Sequence, residues 1–96
     1  MRLHQNEIEQ IRDTILDEFG TNEIYIFGSQ LDSSRRGGDI DIFIVPKDRA
    51  NLLTKESRVK FILEERLLKP IDILIHIDFS REIEQEALKG VKIEGK

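Results

Sequence analysis

The sequence predicts an α/β (α+β) domain, a small mixed β-sheet flanked by helices, and three observations predict it. Apolar residues recur at helical spacing near the start, as Ile8, Ile11, Ile15 and Phe19. The run Asp39-Ile40-Asp41-Ile42-Phe43-Ile44-Val45 alternates almost strictly, as a half-buried strand does. The stretch 70–77 is apolar apart from Asp72 and His76 and follows a second helical pattern. Helical and extended segments that interleave in this way pack as helices against a sheet.

Taken in order, Asn6 followed by Glu9 has the pattern of an N-cap with its capping-box partner, and Gly20 supplies the stop of the first helix. Residues 23–27 form a short β-rich run ending at Gly28, and residues 30–38 form an irregular loop before the strand 39–45. Pro46 ends that strand. Leu52, Leu53, Val59, Ile62, Leu63 and Leu67 then predict a helix over about 49–68, with an imperfect phase in its first turn. A third strand spans 70–77, Ser80 caps a last helix running to Lys89, and Gly90 closes it. The tail Val91-Lys92-Ile93 is expected to pair briefly at an edge of a three-stranded core sheet. No repeat, low-complexity segment or linker divides the chain, so residues 1–96 are expected to form one domain.

Composition narrows the function classes. Charged residues make up 35% and apolar residues 39% of the 96, a balance that folds rather than stays disordered. The formal charge of −4 disfavours direct nucleic-acid binding, which calls for a basic surface to neutralise phosphates. A metal-loaded site reverses the local sign, so a nucleotide ligand remains compatible with that charge. The absence of cysteine excludes disulfides and thiolate metal sites. Met1-Arg2-Leu3-His4-Gln5 runs straight into a charged helical pattern, with no signal peptide or membrane span, and the expected location is the cytoplasm.

The chemistry concentrates in a few positions. Side chains alternate along a strand, so Asp39 and Asp41 share a face about 6.5–7 Å apart. Asp is depleted in strands, and two carboxylates on one face repel unless a cation lies between them. Magnesium suits that need, since it takes oxygen ligands from one or two carboxylates together with phosphates and water. The plain alternative is that Asp39 ends the loop and Asp41 decorates a solvent-facing strand. Asp72 interrupts an apolar strand one residue from its start, and such a carboxylate needs either solvent at a strand end or a cation. If its strand lies beside the Asp41 strand, the three carboxylates converge in the manner two-metal phosphoryl transfer uses.

Gly28-Ser29 follows directly on the first strand. Glycine lets backbone approach phosphate closely, and the following N–H groups and the Ser29 hydroxyl offer donors, although Gly-Ser after a strand is more often only a turn. Arg36, beside Arg35 in the loop, is a further candidate for offsetting phosphate charge, the alternative being a solvated pair. His4 and His76 lack a second ligand at metal spacing and read as packed or surface residues. Asp78 is the reserve for the third carboxylate, on the same strand face as Asp72.

Tyr25-Ile26-Phe27-Gly28-Ser29, nine intervening residues, and Asp39-Ile40-Asp41-Ile42-Phe43-Ile44 together resemble the signature of the DNA polymerase β-like nucleotidyltransferase superfamily, and the chain length resembles its minimal nucleotidyltransferase branch. The resemblance spans essentially the whole chain. It departs in a loop one residue shorter than in many minimal members and in Gly38 where Ser is frequent. It implies ATP or another triphosphate as donor, and transfer of a nucleoside monophosphate with loss of pyrophosphate. It also implies magnesium, as one or two ions with manganese as a substitute, held by Asp39, Asp41 and Asp72, and donor phosphates at Gly28 and Ser29. Minimal members are typically encoded beside a small helical HEPN-type partner, and in several pairs the transferase is the antitoxin that adenylylates its partner toxin. No residues remain for an acceptor-binding domain, so the resemblance implies such a partner here. It leaves open the acceptor, the base and the oligomeric state, self-association included. The competing reading is a catalytically weak nucleotide-binding module that acts by occupying its partner.

Overall fold

The computed structural model describes residues 3–21, 23–28 and 39–93. Helix α1 (Gln5–Phe19) leads into β1 (Ile24–Phe27), then β2 (Ile40–Ile44), α2 (Leu52–Leu67), β3 (Ile71–Ile75), α3 (Glu82–Leu88) and β4 (Val91–Ile93). The sheet has four strands in the order β3-β2-β1-β4. β2 and β3 are parallel, with α2 as the crossover that parallel neighbours require, and β1 is antiparallel to both β2 and β4. The expected edge pairing of residues 91–93 forms against β1 and adds the fourth strand to the anticipated three.

One face of the sheet is the core. Ile24, Ile26, Ile40, Ile42, Ile44 and Ile71 are fully buried there, and two helical rows cover them. Ile11, Ile15 and Phe19 line up on α1, and Val59, Leu63 and Leu67 on α2, each at a spacing of four that keeps a row on one side of its helix.

Helix α1 starts two residues earlier than Asn6 suggests: His4 is the N-cap, and the Glu7 carboxylate accepts the His4 N–H at 3.0 Å. The earlier start puts Leu3 and Ile8 at the positions of a hydrophobic staple, where Leu3 joins the core and Ile8 packs against it. Burial works to raise the Glu7 carboxyl, but the His4 N–H and the Lys69 ammonium, 3.2 Å away, outweigh it and hold the group below its ordinary range. At its other end Gly20 adopts a left-handed conformation and caps α1 as expected.

Helix α2 begins at Leu52 rather than near 49, because Asp48 takes the Ala50 N–H at 2.9 Å and turns the chain there. β3 ends at Ile75, short of the expected 77, since the N–H groups of Ile77 and Asp78 go to the Glu84 carboxylate. Ser80 does not cap α3. Its N–H and Oγ both donate to Asp78 Oδ1, at 2.9 and 2.8 Å, and Arg81 occupies the N-cap position. Among the described residues no helix is long and apolar enough to cross a membrane.

Candidate active site

The face opposite the core carries the polar positions. In register across three strands, Phe27 lies opposite Asp41 and Asp41 opposite Asp72. Neighbouring strands stand about 4.7–4.9 Å apart, so Asp41 and Asp72 are side by side on one face. Asp39, just before β2, shares that face by alternation. Asp41 is half-buried, and Asp39 and Asp72 are exposed. Asp72 therefore meets solvent at the beginning of its strand, so burial imposes no penalty there.

Gly28 follows β1 at the same end of the sheet, with φ of 77°. A Cβ built on it would fall on Asp41 Oδ2 and stand 3.1 Å from Asp41 Cγ, so only glycine lets the turn and the Asp41 carboxylate share this space. Gly28→Ala is expected to lower stability by roughly 1–3 kcal/mol through left-handed strain and to displace Asp41. A thermal melt alongside an assay of nucleotide binding checks it. A variant that binds and melts as the parent does would show that the close approach has no role.

These positions are what the backbone brings together: Gly28, Asp39, Asp41 and Asp72 at one end of three adjacent strands. Among the described residues no three His, Cys, Asp or Glu side chains stand at metal-binding spacing, so the side chains do not form a ready-made cage. Ser29 and Arg36, the other nucleotide-binding candidates, lie outside the described residues, as do Arg35, Gly37 and Gly38. Asp78 is not on the strand face, since β3 stops before it and its carboxylate serves the turn through Ser80; two donors from Ser80 hold that carboxyl below its ordinary range.

Beyond the acidic end, the same face is closed by an aromatic row and α3. Tyr25 meets Phe43 with ring centroids 5.8 Å apart, Phe43 meets the His76 edge at 6.4 Å, and His76 stacks on Phe79 at 3.8 Å. His76 is a packed residue, as its isolation in sequence suggested, and its Nδ1 lies 2.6 Å from Glu84 Oε1. Sequence reasoning missed Glu84. Its side chain is 0% exposed and also pairs with Arg81 Nε at 3.1 Å. The one available signal was its spacing of three from Ala87, which puts both on the inward side of α3.

A mixed four-stranded sheet whose polar face sets an Asp-bearing strand, an Asp-x-Asp strand and a glycine turn at one end has the fold of a nucleotidyltransferase domain. Residues 9–95 match the family model described as polymerase beta, nucleotidyltransferase, and the chain belongs to that family. No curated protein matches it. The family supports nucleotidyl transfer in general, with a nucleotide as substrate.

Proposed function

We propose that this chain transfers AMP from ATP to a hydroxyl of a helical HEPN-type partner protein, as the antitoxin-like member of a cytoplasmic two-gene pair. The observation that carries the transfer reading is the register of Asp41 with Asp72 on parallel neighbours, beside the Gly28 turn. The donor, partner and location rest on the resemblance in sequence.

Carboxylates side by side on one face, with the Gly28 turn against Asp41, form an oxygen donor set that fits magnesium, or manganese in its place. Asp39 and Asp41 would hold the ion with the triphosphate, and Asp72 would share it. When bound, the ion neutralises charge on the phosphates. Gly28 and Ser29 orient the donor phosphates. Asp72 receives the proton of the acceptor hydroxyl, whose oxygen forms a bond to the α-phosphorus as the bond from that phosphorus to the bridging oxygen breaks. Pyrophosphate leaves with the bridging oxygen's electron pair.

The test is incubation with magnesium and ATP labelled on its α-phosphate, with and without the product of the adjacent gene. Label on the neighbouring protein is expected. Binding of ATP with no label on any protein or RNA would favour the inert nucleotide-binding module instead.

A further inference from the structure

β3 is the outer strand of the sheet, and its outer edge is half closed. Pro70 C=O accepts the Ile40 N–H and His76 N–H donates to Ile44 C=O, both at 2.9 Å, so even-numbered residues of β3 face β2. The odd-numbered residues therefore present N–H and C=O outward. At one end the Ile71 N–H is taken by Glu64 Oε2 at 2.9 Å, and just past the other end the Ile77 N–H is taken by Glu84 Oε2 at 2.8 Å. Two carboxylates thus stopper the ends, and among the described residues Ile73 and Ile75 are the open stretch, centred on Leu74. An open edge of this kind is a template for another strand.

We propose that a second copy of this chain pairs there, β3 against β3, antiparallel about a two-fold axis at Leu74. In that register the Ile73 N–H reaches the C=O of the second copy's Ile75, and the Ile75 N–H reaches that of its Ile73, so each open donor finds an acceptor and neither stoppered donor is needed. The side chains match themselves across the axis as well. Leu74 meets Leu74, Ile73 meets Ile75, and Asp72 lies opposite His76, while the ladder ends before the stoppered positions Ile71 and Ile77. Such self-complementarity is the mark of an isologous interface, and a foreign strand gives no reason for it. The large apolar residues just beyond the strand ends also find cover: Leu68 is 83% and Ile77 66% exposed, and the antiparallel register carries Leu68 of one copy toward the turn after β3 of the other.

The inference concerns assembly and does not depend on the transfer reading, so its test needs no nucleotide. Sedimentation of the whole chain over micromolar concentrations is expected to show twice the chain mass. The sequence has no cysteine, so Leu74→Cys introduces a single thiol at the axis. Directly opposed positions of a non-hydrogen-bonded antiparallel pair lie close enough for a disulfide, and mild oxidation should trap a covalent dimer. Thr54→Cys, exposed on α2, should not be trapped. Leu74→Lys should weaken dimerisation at least tenfold with an unchanged circular dichroism spectrum, because the lysine stem can reach solvent in one copy but two ammonium groups oppose each other in the pair. A chain that stays monomeric overturns the proposal, even if another protein's strand fills the edge. So does a dimer that Leu74→Cys fails to trap and Leu74→Lys leaves intact.

Discussion

Asp72→Asn is expected to bind ATP with magnesium about as tightly as the parent and to lose transfer by roughly 10²–10⁴-fold, the range that a positioned proton acceptor supplies. Donor affinity comes from the metal-bound triphosphate, whereas uptake of the acceptor proton matters only in the transition state. Asp41→Asn should lose both, because Asp41 sits between the Gly28 turn and Asp72 and has no substitute in that row. Calorimetry of ATP binding, run beside transfer of label to the partner, separates the two effects. Full transfer by Asp72→Asn would remove Asp72 from the reaction and require the third carboxylate to lie elsewhere, and Asp78 is not available for it because of its turn.

The largest stability effect is expected at Glu84. Burial pushes this carboxyl up, but the His76 imidazole and the N–H groups of Ile77 and Asp78 outweigh burial and hold it below the ordinary range. A folded-state pKa below the unfolded one means a contribution that is complete above the ordinary glutamate range and is lost as the pH falls through the folded value. Glu84→Ala leaves the N–H groups of Ile77 and Asp78, the His76 imidazole and the half-buried Arg81 without their acceptor, so a loss of about 2–4 kcal/mol is expected at neutral pH. Glu84→Gln should lose less. Its urea midpoint should also change less than the parent's between neutral pH and about pH 4, just below the usual glutamate pKa. Equal acid sensitivity in parent and variant would mean that other carboxylates dominate the acid response.

Much of this protein was legible in sequence because its strands obey simple alternation. Ile40, Ile42 and Ile44 marked the core face, which forced Asp41 onto the other, and the single Asp72 in an apolar run gave the third strand. That Asp41 and Asp72 fall in register could not be read, since alternation fixes the face of a strand but not its neighbour. Boundaries failed where a side chain competed for backbone donors. Glu84 ended β3, Asp78 withdrew Ser80 from the cap of α3, and Asp48 delayed α2. The Glu84 bond joins separate elements, so no local spacing announces it, whereas the Asp48 and Asp78 bonds are two-residue turns that competed locally with the helical and capping patterns.

The pairing of β1 with β4 has a consequence for how the molecule is assembled. Among the described residues the first strand meets its outer neighbour only in the last, so this ladder joins the strands farthest apart in sequence and closes the largest loop in the sheet. Contacts of such long range form slowly, and the local α2 crossover that sets β2 beside β3 has no such wait. During synthesis, then, the acidic strands can settle first while the strand leading into the Gly28 turn stays open on its far side. In that interval the uncovered edge of β1 is open to mispairing in a nascent chain, a second open edge beside that of β3.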